Sequence, residues 1–114
     1  MALTRKQIEK LRARDLYCPH CGDDSTLVPH HRANRKMGGS KLLDRLDNLL
    51  LVCSLWNGLM ESDASSANQA LDFGHKLSSW SDFSTPVFDR IANKYYELDE
   101  QGGKRVVDPP LFLI

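Results

Sequence analysis

Two adjacent imidazoles, His30 and His31, are followed seventeen residues later by Asn48 and nine residues after that by Asn57. If the histidines end one strand and Asn57 rides the helix after the next, one divalent ion fits between strand and helix, with a second imidazole beside it. Alone, paired histidines are more often surface or core residues than ligands; the spacing to Asn48, Cys53 and Asn57 is what turns the reading toward a site. A second set is Cys18-Pro-His-Cys21-Gly22, a tight knuckle in which Pro and Gly let the chain reverse between two sulfurs. Cys53 is the third and last cysteine. An odd count with one CxxC pair fits a reducing compartment and a metal knuckle better than a disulfide framework.

The elements needed to hold these groups can be read from caps and periodicity. Thr4 is a good N-cap for a helix to about Asp15, with Ile8 and Leu11 on one face and Arg5, Lys6, Lys10, Arg12 and Arg14 elsewhere. Thr26-Leu-Val28 reads as a short strand leading into Pro29-His-His-Arg32. The stretch from Ala33 to Asp47, with Gly38-Gly39 and four cations, reads as a mobile loop. Asn48 to Cys53 reads as a second strand, apolar on both faces and so buried. A helix is predicted from Ser54 to about Ser62, and another from about Ser65 to Phe73, stopped by Gly74. Lys76 to Trp80 and Pro86 to Arg90 read as strands. Lys94–Leu98 and Lys104–Val107 read as a hairpin around Gln101-Gly-Gly103. Two prolines keep Asp108 to Ile114 out of regular structure. His75 has no partner in sequence and reads as structural or surface; Trp80, Tyr95 and Tyr96 read as core.

At 114 residues the chain is one domain by size. The longest apolar run, around Leu49 to Cys53, is strand-sized, far short of the roughly 18 residues of a membrane span. The first ten residues lack the apolar segment of a signal peptide, which places the protein in a cytoplasm. Net charge is zero, yet Met1–Arg45 holds ten Lys/Arg against five Asp/Glu, and Leu46–Ile114 holds five against ten. Such polarity suits a polyanion facing the first half, with an ordinary solvated charged face as the plain alternative.

The stretch VPHHRANRKMGGSKLLDRLDNLLLVCSLWN, with the CxxC before it, resembles the HNH nuclease family: a His-His pair, a Gly-Gly loop, Asn-Leu, then a Cys-led helix start and a final His or Asn. The chain is similar in general look to small HNH proteins of actinobacterial phages. The resemblance implies an α+β fold with a ββα-metal core at about 16–62, an N-terminal helix and a C-terminal strand and hairpin extension at about 75–114, all in one domain, 1–114. It implies a DNA endonuclease in which His31 is the general base and His30 and Asn57 hold the metal, an HNN variant. The amide oxygen tilts the ion toward Mg²⁺ or Mn²⁺. Asn48 falls on the residue that ties the loop by side-chain hydrogen bonds, and Arg32, Arg35, Lys36 and Lys41 become phosphate contacts. The family's structural zinc uses two CxxC pairs; Cys18, Cys21 and Cys53 match three ligands, but Trp56 stands at the fourth and has no lone pair to offer a metal. Zinc through a fourth donor such as His20 stays open, with an empty site the favoured expectation. DNA is the implied partner, in a host's cytoplasm if the chain is phage-encoded. The alternative is a degenerate HNH domain that grips DNA, or a host or phage protein, without cutting.

Overall fold

The computed structural model describes residues 3–33, 41–78 and 82–110, with only the backbone of 41 and 42. Within them the chain is a mixed α+β structure with two small antiparallel sheets. Helix α1, Arg5–Arg14, starts at a capping box: Gln7 N–H donates to Thr4 Oγ1, and the Gln7 side chain accepts the Thr4 N–H. Its Leu11 is fully buried, while Arg5, Lys6, Lys10 and Arg12 face solvent.

Strands β1, Leu27–His31, and β2, Leu49–Cys53, pair antiparallel, with His30 opposite Leu50 and His31 opposite Leu49. All five residues of β2 are buried. One face carries Leu49 and Leu51 onto Leu11 of α1 and Leu46. The other carries Leu50 and Val52 into the main core with Trp56, Met60 and Ala70. A strand covered on both faces has to be apolar throughout, hence the unbroken Leu-Leu-Leu-Val. Two 3₁₀ turns, Lys41–Asp44 and Leu46–Asn48, lead into β2.

Helix α2, Ser54–Ser62, follows β2 without a linker, and α3, Ala64–Asp72, follows after one residue. That residue, Asp63, ends α2 and caps α3 through its carboxylate on Ser66 N–H. Gly74 closes α3 at φ +71°; a Cβ there would lie 1.9 Å from the Pro86 carbonyl oxygen, so only glycine fits. The predicted strand from Lys76 to Trp80 does not form over residues 76–78, and Trp80 lies outside the described residues. The N–H groups of His75 and Lys76 both donate back to the Ala70 carbonyl, and Leu77 N–H donates to Arg32 O. The segment is thus a helix termination tied to the end of β1.

The second sheet is β3 Val87–Asp89, β4 Lys94–Leu98 and β5 Lys104–Val107, in that order. Asp99 organises the β4–β5 turn by accepting the N–H groups of Gln101 and Gly103. Tyr95 and Tyr96 are half-buried on the sheet rather than in the core. No helix among the described residues is long and apolar enough to cross a membrane.

Candidate functional site

His30 is buried at the end of β1, on the face that packs toward α2. Its Nε2 lies 2.8 Å from the His75 carbonyl oxygen. A carbonyl only accepts, so Nε2 carries the proton and Nδ1 keeps its lone pair. The Asn57 side chain and the Glu61 carboxylate both lie near enough to act on its charge. Burial lowers the His30 pKa, against the opposing pull of the His75 carbonyl. The ring is therefore neutral at pH 7, the state a metal ligand requires. An imidazole whose second nitrogen is fixed by a carbonyl has the usual arrangement of a ligating histidine. Glu61 was not anticipated from the sequence; its signal is the i, i+4 spacing from Asn57, which stacks the two on one helix face. Lys76 Nζ sits 3.5 Å from the exposed Glu61 carboxylate.

His31 follows directly and, as the next residue of a strand, points to the opposite face. It is exposed, with Nε2 2.8 Å from Asp44 Oδ1. The structure thus brings His30 and Asn57 together and sets His31 across the strand with a carboxylate of its own. Asn48 is fully buried behind it. Its Oδ1 accepts Ala33 N–H at 2.7 Å and its Nδ2 donates to Leu43 O at 2.8 Å. Both ends of the amide are engaged by backbone on the two sides of segment 34–40, so Asn48 ties Ala33 to Leu43.

Arg32 requires a correction as a phosphate contact. It is 1 % exposed, and its guanidinium donates to the carbonyls of Asp47, Gly74, Phe83 and Thr85. A buried cation used to tie three backbone segments together through four carbonyls is out of reach of a polyanion. Arg35 and Lys36 lie outside the described residues, as does the side chain of Lys41. Arg14 is likewise buried, donating to Asp15 and to the carbonyls of Leu46 and Leu49. Arg45 pairs with Asp47 and Glu100. Among the described residues of the basic half, the fully exposed cations are Arg5, Lys6, Lys10 and Arg12 of α1.

Cys18, Cys21 and Cys53 bring their sulfurs within 4.8 Å of one another, two buried and one exposed, a cluster able to bind a metal ion. No fourth His, Cys, Asp or Glu among the described residues belongs to the group. Trp56 is buried in the core instead. Its backbone N–H donates to Cys53 Sγ, capping α2, and its indole N–H donates to His75 Nδ1 at 3.1 Å. The His20 ring stacks on the indole at 3.6 Å, and its Nε2 faces Gln69 and Arg90. Burial pushes the Cys53 thiol up to about 11. His75, read from sequence only as structural or surface, is fully buried. Burial lowers its pKa to about 3, with Nε2 donating to Phe88 O.

No family model, no curated protein and no solved structure matches the chain.

Chemically, the described groups offer a buried neutral imidazole on β1, with an amide and an exposed carboxylate of α2 near it, and a second imidazole held by Asp44 on the other side of β1. A cavity of about 180 Å³ lies elsewhere, between the end of α1 and the second sheet, and none of these groups lines it.

Proposed function

We propose that the chain is an HNH-type endonuclease that hydrolyses DNA phosphodiester bonds with a divalent ion, with His31 as general base. The observation that carries this reading is His30: buried, neutral, its Nε2–H fixed on the His75 carbonyl, and its ring against Asn57 with Glu61 beside it. One nitrogen with amide and carboxylate oxygens is a mixed, mostly hard donor set, which fits Mg²⁺ or Mn²⁺. His30 and Asn57 would hold the ion, and Glu61, freed from Lys76, would add a further oxygen. Bound there, the ion would offset charge on the scissile phosphate and the departing oxygen.

The rest falls to the chain's own residues. His31 Nδ1 takes a proton from a water whose oxygen attacks phosphorus, while the P–O bond to the leaving oxygen breaks. Because His30 and His31 face opposite sides of β1, the phosphodiester has to cross the edge of that strand to meet both. The exposed cations of α1, together with Arg35, Lys36 and Lys41, supply sequence-independent phosphate affinity.

The cysteine cluster has soft donors that suit a zinc-like ion, but three are one short of the closed set of a structural site. With the Trp56 indole seated in the core against His20 and His75 and Cys53 serving as the α2 cap, we read it as a packing unit that does not depend on zinc.

The opposite facing of the two histidines favours one second reading, a degenerate HNH domain that binds DNA, or a host or phage protein, without cutting. Supercoiled plasmid incubated with the protein and Mg²⁺ or Mn²⁺ separates the two. Nicking that stops on chelation is expected; salt-dependent DNA binding without nicking under either ion would favour the second reading.

A further inference from the structure

We infer that Asp44 is a positioning residue for His31: it fixes the tautomer that leaves Nδ1 as the proton-accepting atom and holds the ring in one orientation. The inference rests on the nuclease reading for its purpose, though not for its geometry. An ionised carboxylate can only accept, so the 2.8 Å contact from His31 Nε2 to Asp44 Oδ1 assigns the ring proton to Nε2. When His31 takes a second proton at Nδ1, the imidazolium lies against a negative partner.

Two exposed side chains can meet by chance, and isolated surface ion pairs contribute about 0–1 kcal/mol. This pair is built differently. The Asp44 carboxylate is only 13 % exposed against 42 % for the His31 side chain, so the acid is seated and the base is presented. The Asp44 backbone carbonyl accepts from Gln7 Nε2 at 2.9 Å, anchoring its turn to α1. The single amide of Asn48 grips the residue just before Asp44, at Leu43 O, and Ala33, two residues after His31. Arg32 N–H, next to His31, donates to Asn48 O. Both partners are therefore referenced to one fully buried asparagine, which accounts for Asn48 and Asp44 together.

The test is Asp44→Asn with ¹⁵N-histidine labelling. An amide can turn its NH₂ toward Nε2 and admit the Nδ1–H tautomer, which removes the accepting lone pair. The wild type is expected to show His31 protonated at Nε2, and Asp44→Asn a shift of population toward Nδ1–H. The same variant should lose roughly 10²-fold or more in kcat, with KM and DNA affinity in Ca²⁺ unchanged. Asp44→Glu, which keeps the carboxylate, should recover part of the rate and the Nε2–H form. A His31 tautomer that does not change in Asp44→Asn overturns the inference, whatever the rate does. If the wild type cuts no DNA while the tautomer still shifts, the nuclease reading falls and the positioning of His31 by Asp44 stands.

Discussion

His75 joins three parts of the molecule from a position without solvent: its ring accepts from Trp56 and donates to Phe88 O, and its carbonyl holds His30. Burial, the dominant cause, lowers its pKa from 6.5 to about 3. Above about 6.5 the ring is neutral in both folded and unfolded chains and adds no pH dependence. Below that the unfolded chain takes up a proton that the folded protein refuses until about pH 3, so stability falls by about 1.4 kcal/mol per pH unit across the window. Urea unfolding at pH 7 and pH 5 is expected to differ by roughly 2 kcal/mol from this group. His30, buried and lowered in the same direction, adds to the loss. His75→Gln should be less stable at pH 7 and lose less between pH 7 and 5; equal wild-type stability at the two values would contradict the account. Little of this was legible in the sequence. His30, Asn48 and Asn57 were visible because a spacing that resembles the HNH family's singles them out. Asp44, Glu61 and His75 were not, because their roles depend on which residues the 3₁₀ turn, the pitch of α2 and the close of α3 bring together.

Among the elements, α2 does most to assemble the site, since it begins at a cysteine of the cluster and carries Asn57 and Glu61 a turn apart. Its position rests on Trp56 and Met60 in the core and on the Cys53 cap. Chelation is therefore expected to leave the far-UV circular dichroism unchanged, where a true structural zinc domain unfolds. Elemental analysis should give clearly less than one zinc per chain. Stoichiometric zinc on Cys18, Cys21 and Cys53, with unfolding on its removal, would show that the cluster is a folding centre. The elements themselves were largely readable: the Thr4 N-cap marks α1, an apolar run marks β2, and a Gly-Gly turn marks the β4–β5 hairpin. The absence of a strand over residues 76–78 has a physical cause. A buried Leu77 between polar neighbours looks like strand alternation, but the N–H groups of that segment had already been taken by Ala70 and Arg32.

At the scale of the whole molecule, the charge asymmetry of the sequence overstates the basic surface. Arg14 and Arg32 are structural ties and Arg45 is ion-paired, so under the proposed nuclease function phosphate affinity would fall to α1 and to Arg35, Lys36 and Lys41. On duplex DNA each phosphate contact contributes about −0.9 to the slope of log affinity against log salt. Replacing Arg35 and Lys36 with Ala should flatten that slope by up to roughly two units and weaken all sequences alike. Arg32→Ala should instead cost stability, at least about 3 kcal/mol for four carbonyls left without their donor. Fluorescence anisotropy over a salt series in Ca²⁺, beside urea unfolding, checks both. An unchanged slope in the double variant would remove segment 34–40 from the interface and leave α1 as the DNA-facing surface.

The central claim, that His31 draws the proton from the attacking water, is tested most directly by single-turnover cleavage of supercoiled plasmid with Mg²⁺ or Mn²⁺. Wild type and His31→Ala are compared at saturating protein, with DNA affinity measured separately in Ca²⁺. The account gives a loss of roughly 10²-fold or more in the cleavage rate with affinity unchanged. Near-full cleavage by His31→Ala would contradict it.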